Sequence, residues 1–297
     1  MRDSTAALSA APSRTSDFFA LTKPRLNLLV VATALGGYYM GTTLATDVMT
    51  LVHTVVGTGL VAGGSAVFNM LLERDVDGLM KRTRLRPLAD GRLSPREATW
   101  FGAVLSLAGL VDLALGVNLL AAGVALVTLL TYIAWYTPSK QRTSLSTVIG
   151  AIPGALPPMI GWAGATNSLS LEAWVLFGIV FFWQMPHFLA IAWLYREDYA
   201  RAGFPLLPVV EPDGHSTARQ TVAYAAALLP VSLMPTLLHL TGGLYFGGAL
   251  VLGCVLWILT WRFARERTGR HAKWLFFGSI AYLPLLWGLM VIDRVPI

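Results

Sequence analysis

The chain has 297 residues, of which 55% are hydrophobic and 13% charged, whereas roughly a quarter of the residues in an ordinary soluble domain are charged. That composition excludes a water-solvated globular domain, and the net charge of +6 says less than where the charges fall. The apolar residues run in unbroken stretches of roughly 20, the length of a helix across hydrocarbon, and not in the alternating ten-residue segments of a barrel, so the expected class is all-α integral membrane.

In chain order, residues 1–20 read MRDSTAALSAAPSRTSDFFA, Ala/Ser-rich and without the apolar core of a signal peptide, so a mobile cytoplasmic tail is expected there. Residues 21–297 are expected to form a single polytopic membrane domain. The runs place spans at 25–43, 48–71, 98–117, 119–136, 146–166, 171–194, 220–240, 244–263 and 273–292. The third and fourth are separated only by Gly116 and Asn118, a tight turn. Asp112 lies inside the third span with no evident role. The stretch Ala151-Ile-Pro153-Gly-Ala-Leu-Pro157-Pro158 interrupts the fifth. Broken membrane helices are tolerated only against protein or a cavity, and a cavity is expected there. Cys254, the single cysteine, sits in an apolar run and reads as a small packing residue.

Of the 22 Lys and Arg, all but Arg294 fall on one side of this arrangement. Cytoplasmic loops are enriched in these residues, so the N-terminus is expected in the cytoplasm and the C-terminus outside. The two longest connections, after the second and sixth spans, lie on that charged side, which is where chemistry is expected.

The second span ends Asn69-Met-Leu-Leu-Glu73-Arg-Asp75-Val-Asp77, followed by Lys81, Arg82, Arg84, Arg86 and Pro87. At 100° per residue Asn69, Glu73 and Asp77 share one helical face, while Asp75 points elsewhere, toward Arg74 or Arg82. Hard oxygen ligands on one face suit Mg²⁺ held between protein and a substrate's phosphates. A plainer reading is a helix end whose carboxylates pair with the arginines behind it. The polar stripe extends back toward hydrocarbon, where buried polar groups are costly, and that favours a site.

The sixth span and its loop carry Trp183-Gln184, Pro186-His187, Tyr195-Arg196-Glu197-Asp198-Tyr199, Arg201, Gly203, Pro205 and Pro208. Their acidic pair lies at the same level as the first motif, so the two can converge. His187 reads equally as a core imidazole or as a functional group. Lys140 and Arg142, after the fourth span, add positive charge at that level.

Taken together, Thr22-Lys23-Pro24-Arg25, the Asn69 to Asp77 motif with Arg82-Thr83 and Arg86-Pro87-Leu88, Pro157-Pro158 with Gly161-Trp162, and Pro186-His187-Phe188 with Asp198-Tyr199 resemble the haem O synthase family of UbiA-type membrane prenyltransferases. The likeness runs from about residue 18 to the end, including Ser279-Ile280 and Tyr282. It implies about nine transmembrane helices around a central cavity, with Mg²⁺ as cofactor, farnesyl diphosphate as donor and haem B as acceptor. The implied products are haem O and diphosphate, supplied to haem-copper terminal oxidases of a bacterial-type plasma membrane. Contact with haem A synthase or with oxidase assembly is a further implication, and nucleic acid is not a partner.

By position, the resemblance makes Asn69, Glu73, Asp77 and Asp198 catalytic and metal-binding, with Glu73 standing where Asp is usual. Arg82, Arg86, Lys140, Arg142, His187, Tyr195 and Tyr199 become substrate-binding. A quinone-type acceptor, or a secondary carrier with broken helices, would be the competing readings; the clustering of acidic groups at one face argues against a carrier.

Overall fold

The computed structural model describes residues 13–43 and 47–296, and the first part of the expected tail, residues 1–12, lies outside them. In chain order the helices are α1 (Arg14–Leu21), α2 (Pro24–Gly41), α3 (Val48–Asp77), α4 (Pro95–Gly116) and α5 (Leu119–Leu130). A π-helical turn (Thr131–Tyr136) leads into α6 (Thr137–Ser139), α7 (Ser146–Ala155), α8 (Pro157–Thr166) and α9 (Leu171–Leu194). Two short helices, α10 (Arg196–Arg201) and α11 (Leu207–Val210), precede the long α12 (His215–Leu237), α13 (Gly243–Glu266) and α14 (Gly269–Ile292). Among the described residues the only β-feature is one isolated bridge, Thr241 to Arg294.

Eight helical stretches are long and apolar enough to cross a membrane, and a ninth is reached when α1 and α2, bent by 44°, count as one span. The expected all-α membrane class is therefore what the chain adopts. Two spans reach further than hydropathy indicates: α3 runs on to Asp77 and α12 begins at His215. Hydropathy marks only the part of a helix in hydrocarbon, whereas Glu, Arg and Gln continue a helix beyond it. Several helix starts carry side-chain caps. Asp47 accepts from the amides of Met49 and Thr50, Ser94 and Glu97 form a capping box, and Asn118 accepts from Ala121 to close the tight turn before α5.

The second part of the expected tail is not loose. Ser13 caps α1, Leu21 joins Val67, Met70, Leu88, Leu93 and Ala98 in a buried cluster, and the buried Asp17 accepts two bonds from Arg92 Nε at 3.1 and 3.0 Å. A long-range ion pair and an apolar contact thus order a segment whose Ala/Ser composition signalled neither.

Small residues let the helices approach closely, as expected where no water drives association. A Cβ on Gly161 would lie 1.8 Å from Ala34 O, and one on Gly37 would lie 2.0 Å from Pro158 O, so α8 rests directly on the α2 backbone. This contact also settles what the Pro/Gly interruption faces. Leu156 keeps a helical backbone (φ −74°, ψ −26°), α8 packs on α2, and Gln184 Nε2 of α9 donates to Ala151 O at 3.2 Å. The break is set against protein, and Gln184 supplies a donor to the α7 backbone.

Outer faces meet lipid: Val104, Leu107, Val111 and Leu115 recur along α4 at helical spacing and are all exposed. Cys254 is exposed as well, so it lies on the outer face of α13 and not in a packed interior. Asp112 finds its partner across the α3–α4 contact, where its carboxylate is 2.8 Å from His53 Nδ1.

Candidate active site at the charged end of the bundle

The last turns of α3 carry the site. Asn69, Glu73 and Asp77 are 0%, 3% and 1% exposed, whereas the Asp75 side chain is 87% exposed and pairs with Arg74 at 3.3 Å. Four-residue spacing on an unbroken helix produces this division. Each buried oxygen group meets a basic side chain from a different element. Lys23 Nζ, at the joint between α1 and α2, donates to Asn69 Oδ1 at 2.6 Å. Lys140 Nζ, just beyond α6, lies 2.8 Å from Glu73 Oε1. Arg86 Nη1 donates to both oxygens of Asp77 at 2.8 and 2.7 Å, and Thr83 Oγ1 ties the intervening loop to Asp77 O at 2.8 Å.

The fourth wall is the π-helical turn. It sets the Tyr132 and Tyr136 rings 5.1 Å apart and places Lys140 Nζ 4.6 Å from the Tyr136 ring centroid. Thr137, the residue after that turn, accepts from Asn69 Nδ2 at 3.2 Å. Burial opposes the charge on Lys140, yet the Glu73 carboxylate beside it favours that charge, and the pKa of the ammonium is raised above its ordinary value.

The long loops after α3 and α9 do converge. Met80, Ala202 and Phe204 form one buried cluster with Val76 and Tyr199 against it. Across this contact Arg82 Nη2 is 3.5 Å from Tyr199 Oη, and its guanidinium lies 5.6 Å from the Tyr195 ring centroid. Arg82, Tyr195 and Tyr199 therefore form an outer layer beside the buried stripe.

Residues 30–282 match the UbiA prenyltransferase family. The chain belongs to that family. Its relatives include the protoheme IX farnesyltransferase of Solibacter usitatus, 51% identical over 94% of this chain and 98% of the relative. The protoheme IX farnesyltransferase of Koribacter versatilis is 44% identical over 94% and 93%. A solved digeranylgeranylglyceryl phosphate synthase superposes with a TM-score of 0.80 at 15% identity, covering 94% of this chain and 98% of that one. A UbiA homolog from Archaeoglobus fulgidus bound to GPP and Mg2+ superposes with a TM-score of 0.66 at 16% identity, covering 93% and 99%. At those identities the likeness shows the fold, an all-α membrane prenyltransferase.

Not every residue expected from the sequence of this prenyltransferase joins the stripe. Asp198, on α10, is bonded to Arg201 three residues on. Arg142 is exposed, while Lys140 two residues earlier is turned inward. His187 lies between α9 and α14, its Nδ1 2.8 Å from Ser279 Oγ. Among the described residues no three His, Cys, Asp or Glu side chains gather as a ready metal-ligand cluster. The donor chemistry nevertheless fits an oxygen-seeking divalent ion. Asn69, Glu73 and Asp77 offer hard oxygens on one face, and Glu73 Oε1 is buried without a well-formed hydrogen bond despite the nearby ammonium. Phosphate oxygens of a ligand would complete such a coordination shell.

Lys23, Thr137, Tyr132 and Tyr136 were not singled out as site residues from the sequence. A signal did exist: Tyr132, Tyr136 and Lys140 recur every four residues at a span's end, and Lys23 precedes the Pro24 that opens α2.

Proposed function

We propose that this chain transfers the farnesyl group of farnesyl diphosphate to a vinyl group of haem B, with addition of water, giving haem O and diphosphate for haem-copper terminal oxidases. The observation that carries this reading is the buried Asn69–Glu73–Asp77 stripe faced by Lys23, Lys140 and Arg86, in a chain about half identical along its length to a protein named protoheme IX farnesyltransferase. Arg86 and Lys140 balance the two carboxylates and Lys23 adds a further donor, a lining that suits a diphosphate arriving with its divalent ion.

Asn69, Glu73 and Asp77 would hold Mg²⁺, which when bound neutralises charge on the leaving diphosphate. Lys140 and Arg86, now engaged by Glu73 and Asp77, turn to the diphosphate oxygens as it binds, and Lys23 adds a third donor. As the allylic C–O bond breaks, the Tyr132 and Tyr136 rings offer π-faces to the developing cation and keep water away from it. The vinyl carbon of the acceptor forms the new bond to farnesyl C1. Water then adds at the carbon next to the porphyrin ring, and the proton it loses leaves with diphosphate.

Arg82, Tyr195 and Tyr199 shape the mouth of the site, and Arg142 attracts the anionic donor from the surface. Asp198 belongs to the second acidic element and reaches a metal only after exchanging Arg201. The skewed distribution of Lys and Arg supports a cytoplasmic N-terminus and active site in a bacterial-type plasma membrane, with the C-terminus outside. Residues 21–297 act as one polytopic unit, and handover of haem O to haem A synthase or to oxidase assembly follows from a product that stays in the bilayer.

The test is the pigment of cells producing the chain. Membranes should yield an additional haem of greater mass and later reverse-phase elution, and membranes containing only haem B, or a prenylated quinone instead, would reject the reading.

A further inference from the structure

His187 sits seven residues before α9 ends at Leu194, about 10 Å deeper than the charged end at 1.5 Å per residue. Its ring stacks on Trp183, with centroids 5.2 Å apart and planes 20° apart, and on Phe276, at 5.1 Å and 26°. Trp183 Nε1 donates to Ser279 O at 2.7 Å and so holds α14 against α9 at this level. The tautomer of His187 follows from Ser279. The single hydroxyl proton of Ser279 is donated to Phe276 O at 2.7 Å, so toward His187 Nδ1, 2.8 Å away, the oxygen only accepts. With Ser279 assigned as the acceptor, His187 carries its proton on Nδ1 and leaves Nε2 with a bare lone pair.

A histidine that merely filled the core would have both nitrogens satisfied. Here Nε2 has no hydrogen-bond partner among the described residues. The ring is only partly buried, stacks on Trp183 and on Phe276, and is bonded at Nδ1, so Nε2 is the nitrogen left for a ligand. A neutral imidazole fixed through its other nitrogen and free at Nε2 is the arrangement of a metal-ligating histidine. The basic groups of the diphosphate site are engaged elsewhere, and Trp183, Phe188 and Phe276 around His187 offer flat apolar surface.

Resting on the acceptor proposed above, we infer that His187 Nε2 is an axial ligand to the iron of the porphyrin acceptor, and that Ser279 is a positioning residue that sets the imidazole tautomer and ring angle. Iron ligation then contributes to selecting a metalloporphyrin over a metal-free ring.

The experiment uses purified full-length protein, wild type, His187→Ala, Ser279→Ala and Ser279→Thr, each titrated with haem B and with metal-free protoporphyrin IX. Haem absorption and electron paramagnetic resonance report the axial ligand. Wild type should show a nitrogen-ligated iron and bind haem more tightly than the metal-free ring. His187→Ala should lose both the nitrogen signature and that preference, and added imidazole should restore the signature. Ser279→Ala should weaken haem binding by on the order of 10-fold, as loss of a group orienting a ligand does, and Ser279→Thr, which keeps the hydroxyl, should recover it. In every variant the KM for farnesyl diphosphate should hold, which also certifies the fold. A wild-type haem spectrum in His187→Ala, or equal loss of affinity for both rings, would overturn the inference while leaving farnesyl transfer by the wild type intact. Failure of the wild type to farnesylate haem would instead reject the function itself.

Discussion

Replacing Asp77 by Ala should end prenyl transfer, and the geometry says how to separate that loss from misfolding. Asp77 is 1% exposed and accepts two bonds from Arg86, whose side chain is 22% exposed. Removing one member of a buried pair costs about 3–5 kcal/mol because the partner is left uncompensated. The partial exposure of Arg86 lets water relieve some of this, so a stability loss nearer ~2 kcal/mol is expected. Transfer should fall further: losing an oxygen ligand that offsets transition-state charge costs several kcal/mol, and about 4 kcal/mol corresponds to roughly 1,000-fold in rate. The double variant Asp77→Ala/Arg86→Ala removes both charges, so thermal stability should partly return while activity stays lost. Asp75→Ala, whose side chain is 87% exposed beside Arg74, should change neither by much. The assay is initial rate against thermal unfolding midpoint for all four proteins in detergent. Equal losses in Asp75→Ala and Asp77→Ala, or activity returning with stability in the double variant, would refute the reasoning.

Further outcomes follow from the same geometry. Chelation of divalent ions should stop transfer and leave helix content unchanged by circular dichroism, with Mg²⁺ restoring the rate; full activity in chelator would remove the metal from the account. Gly161→Ala places a methyl 1.8 Å from Ala34 O and should sharply lower the yield of folded protein, while Gly123→Ala, with nothing within 4 Å, should be neutral on size-exclusion chromatography. Asp47 at the start of α3 is held below its usual pKa of 3.8 by the hydroxyl and then the amide of Thr50. Its folded pKa is depressed, so its contribution is present above pH 3.8 and is lost as pH falls through the lower folded value. Asp47→Ala should remove this component from the acid limb of a stability–pH curve.

Helical phase made the site partly legible in advance. The division between Asn69, Glu73 and Asp77 inside and Asp75 outside follows from 3.6 residues per turn, and the spans follow from hydropathy because hydrocarbon admits little else. What the chain's order hides is who meets whom. Lys23 reaches Asn69 across 46 residues, and Asp112 reaches His53 across 59; no local pattern encodes such pairs. The helix α1 was hidden for the same reason, since Arg92 lies 75 residues from the Asp17 it holds. Arg142 and Lys140 look equivalent in a list of charges, but the turn after α6 sends one outward and the other to Glu73. Asp198 looked like a free ligand, although an arginine one helical turn away already bonds it. The π-helical turn that aligns Tyr132 and Tyr136 has no compositional signature at all.

The most direct measurement is the mass of haem recovered after purified protein is incubated with haem B, farnesyl diphosphate and Mg²⁺ in ¹⁸O-labelled water. The account predicts a haem heavier by one farnesyl group and one hydroxyl, with the heavy oxygen in that hydroxyl and one diphosphate released per haem converted. Unmodified haem with diphosphate released, or farnesylated haem without the labelled oxygen, would contradict it.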